Sequence, residues 1–274
     1  MCLSSTSRSG RGRTEPPAVT PLKRPLPRLF GARRNSMDHC RSTHLVRSRW
    51  LALGLGLLLS WLPVAAPAAE DYSEAERLIF SNEQLHNVKP PATLGYAFRK
   101  SGALEDGYAD RVSIALEPQA DGSCCIGRGE FLSGARRLTL PEIENASANP
   151  VILYFLEHDV REMQRLTRGQ QAHFRRMIRM AIYKGAQVTE TTLRYRGRVL
   201  RGHEVAIAPY LDDPVRARFE KFARKRYVFL LSDEVPGSVY GIRSSIGAEN
   251  VDAPPLIVEE LFIDGAEPAA GPRS

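Results

Sequence analysis

The chain has 274 residues, of which 43% are hydrophobic and 25% are charged. This composition is typical of a globular domain and excludes a wholly disordered or collagen-like chain. The formal net charge is +7, but 11 of the 38 basic residues and only two of the 31 acidic residues lie in 1–49. Residues 70–274 carry 27 basic and 29 acidic residues, a net charge of −2. Because this part is nearly neutral, we expect no nucleic-acid partner.

Residues 1–69 have the features of a secretory leader. The apolar run Leu51–Leu62 follows a basic segment and precedes an Ala-Pro-Ala motif at 66–68. A basic region, a short apolar region and a small-x-small site together predict a cleaved signal peptide, and Met37 is an alternative start. An uncleaved anchor is the other interpretation, but Pro63 ends the run short of the roughly 20 residues that span a bilayer. We expect a periplasmic protein with no transmembrane span after cleavage.

The expected mature chain divides into a short segment at 70–91, a single α+β domain at 92–264 and a flexible tail at 265–274. Apolar residues alternate with small or polar ones around Tyr96 and Ile114, which predicts strands in the first third of the domain. A second set of strands is predicted after residue 187. Its first two members form a hairpin around Arg196-Gly197-Arg198.

Between the two sets of strands, the sequence predicts one long helix over 150–184. Asn149-Pro150 combines an N-cap residue with proline at the first helical position, and Gly185 is a natural end. At 100° per residue, the apolar side chains fall on one face of this helix and six arginines on the other. These arginines are Arg161, Arg165, Arg168, Arg175, Arg176 and Arg179. A break into two helices at 167–169 is the alternative.

These elements predict an α+β fold in which a curved, half-barrel-like antiparallel sheet packs on one long central helix. Their order over most of the mature chain resembles that of half-barrel lipoprotein carriers and related envelope proteins, which cradle acyl chains. The resemblance implies that an apolar ligand binds between the sheet and the helix.

Asp159 is the most unusual residue, because it lies within the apolar face of the predicted helix. Burying a carboxylate alone costs several kcal/mol, so Asp159 must be paired, hydrogen-bonded or protonated. A structural partner is one interpretation, and a catalytic carboxyl is the other. His158 and Glu162 are four residues apart, a spacing that suits a solvated pair or two ligands of one metal, with His173 as the nearest third ligand.

His203 is in phase with Val205, so we expect it to face the core, as a packed histidine or as a general base. The chain has no nucleotide-loop, zinc-protease, serine-hydrolase or EF-hand motif, so we expect no cofactor and no metal. The adjacent Cys124 and Cys125 leave open a vicinal disulfide, two independent thiols, or a redox or metal role.

The arginines form either a solvated helix face or a surface for anionic headgroups, lipopolysaccharide phosphates or an acidic partner protein. Without a catalytic motif, the sequence favours a non-enzymatic periplasmic protein that binds an apolar ligand, a lipid or an envelope partner. Two alternatives remain. One is a structural subunit of an envelope complex, and the other is an envelope hydrolase or metal-assisted enzyme that uses Asp159 with a nearby histidine.

Overall fold

A computed structural model describes residues 72–81, 83–121, 124–248, 250 and 253–268. The predicted leader at 1–69, the alternative start at Met37 and the end of the tail at 269–274 lie outside the described residues. The described chain forms one eight-stranded antiparallel sheet, three α-helices and several short helical turns. None of the described helices is long and apolar enough to cross a membrane.

The strands are β1 (Ala92–Ser101), β2 (Tyr108–Pro118), β3 (Cys124–Phe131), β4 (Gln187–Tyr195), β5 (Arg198–Ile207), β6 (Lys225–Leu231), β7 (Val239–Ile246) and β8 (Ile257–Ile263). Their order in the sheet is β3-β2-β1-β8-β7-β6-β5-β4. The last strand of the chain, β8, therefore joins the first three strands to the other four. The edge strands β3 and β4 do not pair with each other, so the sheet is open.

Strict alternation of side chains gives the sheet one apolar face. In β1, Leu94, Tyr96 and Phe98 are buried while the intervening residues are partly or fully exposed. Strand β2 repeats this pattern around Ile114, as the sequence predicts. Since side chains two residues apart point to the same side of a strand, these residues form a continuous layer under the helices.

The helices are α1 (Glu74–Glu76), which continues as a π-helical turn over Arg77–Ser81, α2 (Pro150–Thr167) and α3 (Gln171–Lys184). The predicted N-cap of α2 is confirmed, because the Asn149 side chain accepts the Val151 N–H at 3.1 Å. The amide of Asn149 also donates to the Tyr96 hydroxyl at 2.8 Å and to the Gly237 carbonyl at 2.9 Å. These bonds attach the start of α2 to the sheet and to the β6–β7 turn.

Glycines in β3 let α2 approach the sheet closely. A Cβ atom on Gly129 would lie 2.0 Å from the ring of Tyr154, and one on Gly127 would lie 2.8 Å from Pro150. Both contacts are far shorter than van der Waals distance, so no side chain fits at either position. The first half of α2 therefore rests directly on the backbone of β3.

The predicted fold class is wrong. The chain has an open eight-stranded antiparallel sheet with three short helices, instead of a half-barrel-like sheet on one long central helix. The predicted helix is interrupted at Arg168, which has a left-handed φ of 61° and donates its N–H to the Gln164 carbonyl at 2.8 Å. In one straight helix, Glu157 and Arg175 would be about 27 Å apart along the axis. Their side chains are in contact at 2.9 Å, so α3 folds back toward α2.

The far end of the β4–β5 hairpin is attached to the segment that follows β8. Tyr195 forms an antiparallel bridge with Ala266, and the Glu267 N–H donates to the Arg194 carbonyl at 2.9 Å. The Tyr240 hydroxyl donates to the same carbonyl at 2.9 Å. These bonds fix the position of the hairpin end, and the first residues of the predicted tail take part in them.

Candidate functional site

A row of polar side chains crosses the face of the sheet that carries α2. The antiparallel register places Lys100 of β1 opposite Glu259 of β8, Glu259 opposite Ser244 of β7, and Ser244 opposite Tyr227 of β6. All four residues are buried. We call them the buried polar row. Helix α2 lies over this row and contributes His158, Asp159 and Glu162 to it.

Asp159 makes three polar contacts within this row or beside it. Its carboxylate forms an ion pair with Lys225 of β6. It also accepts hydrogen bonds from the Tyr227 hydroxyl at 2.5 Å and the Ser244 hydroxyl at 3.3 Å. The Tyr210 hydroxyl extends the network, 3.3 Å from that of Tyr227. These contacts attach α2 to β6 and β7, which favours the structural interpretation of Asp159.

The two tyrosines of this network stay protonated. Burial raises the pKa of Tyr227 well above its ordinary value, and the nearby charge of Asp159 raises it further. Burial and the same carboxylate also raise the pKa of Tyr210. Tyr227 is therefore a permanent hydrogen-bond donor to Asp159 at physiological pH, because removing its proton would place a second negative charge in the interior.

At the other end of the row, Glu259 lies between a histidine and a lysine. His158 Nε2 lies 3.4 Å from one carboxylate oxygen and Lys100 Nζ lies 3.6 Å from it. Burial alone would raise the pKa of Glu259, but the hydrogen bond and charge of His158, together with Lys225 and Lys100, lower it to about 2. Glu259 is therefore ionised, and its second oxygen has no hydrogen-bond partner among the described residues.

The catalytic and metal candidates are not gathered into one open site. The His158 ring packs between Phe98 and Phe131, with centroid separations of 5.6 and 5.2 Å. Glu162 pairs with Lys100 at 3.0 Å and with Arg165 at 2.8 Å. His173 contacts Asp213 at 2.7 Å. Within the described ranges, no group of three or more His, Cys, Asp or Glu side chains is arranged to hold a metal.

The six arginines fall into two groups of three. Arg161 and Arg175 both pair with Glu157, at 3.2 and 2.9 Å, and Arg165 pairs with Glu105 at 2.6 Å as well as with Glu162. The other three arginines form no ion pair with any described residue: Arg168, Arg176 and Arg179. The guanidinium of Arg176 instead donates a hydrogen bond to the neutral ring nitrogen His173 Nδ1 at 3.3 Å.

Helix α3 combines unpaired cations with exposed apolar side chains. Arg176, Met180 and Tyr183 are spaced by four and three residues, so they lie along one side of the helix, with Arg179 and Lys184 beside them. Met180 is 40% exposed and Tyr183 is 48% exposed. We call these five residues the α3 surface. Like the two arginines, Lys184 pairs with no described carboxylate.

The start of the described chain lies beside the end of α3, because the Ser73 hydroxyl donates to the Ile182 carbonyl at 3.3 Å. The neighbouring Tyr72 is 46% exposed.

An open hollow of about 980 Å³ lies between the β4–β5 hairpin, the β6–β7 turn and the N-terminal segment. His203 is half-buried in its wall rather than enclosed in the core. We call this space the hairpin hollow. Its polar lining includes Glu190, Thr192, Arg201, His203, Asp233 and Glu234.

Cys124 and Cys125 form a vicinal disulfide at the start of β3, the form in which neither thiol is free. Cys125 is buried and Cys124 is exposed.

The buried strand residues that pair with α2 were not predicted from the sequence: Lys100, Lys225 and Glu259. Their positions in the alternating pattern of each strand could have identified them. Lys100 follows Phe98 by two residues, Lys225 precedes Tyr227 by two, and Glu259 precedes Leu261 by two. Each charged residue thus occupies an inward position of a strand with an apolar face, which indicates a buried and paired charge.

Comparisons with known proteins give a distant likeness to a solved structure. No protein-family profile and no curated protein matches the chain. Among solved structures, the lipoprotein LppX of Mycobacterium tuberculosis aligns over 72% of this chain and 99% of its own, with 11% identity and a TM-score of 0.30. A likeness at this level carries no argument about function, and we draw none from it.

Proposed function

We propose that this chain is an exported, non-enzymatic protein of the cell envelope that binds anionic lipid through the α3 surface. The observation that carries the proposal is the set of three unpaired cations, Arg176, Arg179 and Lys184, next to exposed Met180 and Tyr183. Interfacial helices have this composition, because cations attract anionic headgroups while aromatic and apolar side chains enter the boundary of the acyl layer.

The expected attraction is local and modest. Residues 70–274 have a net charge of −2, so the domain as a whole is not drawn to an anionic surface. Each basic residue near such a surface contributes about 1 kcal/mol, and the attraction decays within a Debye length of about 8 Å at physiological salt. Three unpaired cations therefore favour one orientation of the protein, with α3 toward the headgroups.

Binding at the surface is better supported than binding of an acyl chain between sheet and helix. Helix α2 covers the inner face of the sheet, and its residues Ile152, Phe155 and Met163 are fully buried there. A ligand in that space would have to displace these side chains and break the bonds of Asp159. Lipid contact at α3 requires neither change.

The test is a vesicle flotation assay with the secreted protein, purified after removal of the basic leader, which would itself bind anionic vesicles. We expect binding to vesicles that contain phosphatidylglycerol and little binding to pure phosphatidylcholine. Arg176→Glu/Arg179→Glu removes two cations at about 1 kcal/mol each, which alone corresponds to a loss of affinity of roughly 30-fold. Because it also adds two anions that the headgroups repel, we expect a loss larger than this.

The matched control is Lys89→Glu/Arg99→Glu, which makes the same change of net charge at two exposed positions away from α3. We expect this control to bind anionic vesicles like the unmodified protein. If both double variants weaken binding equally, net charge determines binding and the α3 surface does not. If neither weakens it, the proposal is wrong.

A further inference from the structure

The hairpin hollow is a second candidate binding site, independent of the α3 surface. We propose that it binds short peptides of two or three residues that carry a free ammonium group and a free carboxylate. Its volume of about 980 Å³ is at the upper end of the range of small-ligand pockets. Charges of both signs line the hollow, and they are spaced along the β4–β5 hairpin as the two ends of a short peptide would be.

Arg201 provides a free guanidinium group. Its backbone N–H donates to a Glu234 carboxylate oxygen at 3.2 Å, but its side chain forms no ion pair with any described residue. Glu234 is instead paired with Arg198, at 3.6 Å. A guanidinium binds a carboxylate through two parallel hydrogen bonds, so Arg201 is suited to the carboxylate end of a peptide.

Glu190 and Asp233 provide the opposite charge. Neither carboxylate has an ion-pair or hydrogen-bond partner among the described residues, although the Asp233 carbonyl accepts from Asn87 at 2.9 Å. Glu190 is directly opposite His203 in the β4–β5 register, so the imidazole lies beside it. These groups can accept the N–H bonds of a ligand ammonium group.

The spacing of the two charges fits a short peptide. The Glu190–His203 pair and the Thr192–Arg201 pair are successive pairs on the same face of the hairpin. Residues two apart in a strand are separated by about 7 Å. An extended dipeptide spans about the same distance, and a tripeptide reaches further with allowance for the long side chain of Arg201. A single amino acid would not reach both residue pairs, because its ammonium and carboxylate groups are attached to the same carbon atom.

The walls of the hollow are already fixed by internal hydrogen bonds. The Ser232 hydroxyl donates to the Arg201 carbonyl at 2.6 Å, and the Ser238 hydroxyl donates to the Gln84 carbonyl at 3.1 Å. The amide of Gln84 donates to the Leu78 carbonyl at 2.7 Å. Because the turn, the hairpin and the N-terminal segment are joined in this way, ligand binding requires little ordering of the site.

The experiment is calorimetric titration of the purified full chain with trialanine, N-acetyl-trialanine and trialanine amide. We expect trialanine to bind, and we expect each cap to weaken binding at least tenfold. The Arg201→Gln variant should bind trialanine and trialanine amide with equal affinity, because it lacks the guanidinium group that contacts the ligand carboxylate. Acetylation should likewise have no further effect against Glu190→Gln/Asp233→Asn, which removes both carboxylates that face the ammonium group.

The controls are Arg99→Gln and Glu144→Gln, which are exposed positions outside the hollow and should leave the affinity unchanged. Circular dichroism verifies that each variant is folded. The comparison of capped and free peptides on the unmodified protein tests the proposal even if a variant does not fold. Absence of binding by trialanine at millimolar concentration would overturn the proposal. Effects of cap and substitution that simply add would also overturn it.

Discussion

Asp159 of α2 forms an ion pair with Lys225 of β6, where the two side chains are 0% and 2% exposed. The pair connects the central helix to the middle of the sheet, and Tyr227 and Ser244 complete its hydrogen bonds. Buried ion pairs are costly to separate, because the remaining partner keeps its charge without solvation. The residue that looked most like a catalytic group therefore has a direct role in holding the fold together.

The first prediction concerns this pair. Lys225→Met leaves the Asp159 carboxylate without its cation and should lower the free energy of unfolding by about 3 kcal/mol or more. Asp159→Asn keeps an acceptor for Tyr227 but leaves Lys225 unpaired, and should cost a similar amount. The double variant Asp159→Asn/Lys225→Met has no uncompensated charge, so we expect it to be more stable than either single variant. Urea denaturation measures all three, and losses that simply add would contradict the pairing.

The second prediction concerns the pH dependence of stability. The folded protein lowers the pKa of Glu259 from 4.5 to about 2, so the carboxylate is more acidic in the folded than in the unfolded chain. Its contribution is fully present above the unfolded pKa and is lost as pH falls from about 5 to 2. We expect Glu259→Gln to have a lower free energy of unfolding than the unmodified protein at pH 7. This difference in free energy should shrink as pH falls over this range. A difference that does not depend on pH would contradict this assignment.

The third prediction distinguishes the helix break from a continuous helix. A Cβ atom on Gly169 would lie 2.6 Å from the ring of Phe174, so Gly169→Ala should destabilise the protein by about 1–3 kcal/mol through overpacking. In an uninterrupted helix the same change would stabilise by about 1 kcal/mol. A lower unfolding temperature of Gly169→Ala would therefore support the helix break, and a higher one would contradict it. Gly185→Ala is the control, because its nearest neighbouring atom is 3.6 Å away.

The strands and the start of α2 could be predicted from the sequence, because alternation at 94–98 and the Asn149-Pro150 pair are local signals. The break at Arg168 was predicted only as the alternative, because the apolar residues before and after Gly169 keep the same helical phase and favoured one continuous helix. Periodicity reports which side of a helix is buried, but it does not report whether the axis continues. The contact of Glu157 with Arg175, which reveals the fold-back, depends on tertiary structure.

The same limit applies to the candidate sites. The sequence indicated that Asp159 needs a partner. That partner, Lys225, lies 66 residues further along the chain, and strands β4 and β5 intervene, so no local pattern connects the two residues. The sequence also predicted that the six arginines lie together on one face of a single helix. Glu157 and Glu105 neutralise three of them, and only the folded chain separates Arg176 and Arg179 from the paired ones.

The most direct test of the proposed function is the salt dependence of flotation with phosphatidylglycerol vesicles, measured on the secreted protein after removal of its basic leader. We expect binding at 50 mM salt and loss of most of it at 500 mM, because the Debye length falls below about 5 Å and screens Arg176, Arg179 and Lys184 from the headgroups. Binding that is unchanged at 500 mM salt, or equal with phosphatidylcholine vesicles, would contradict it.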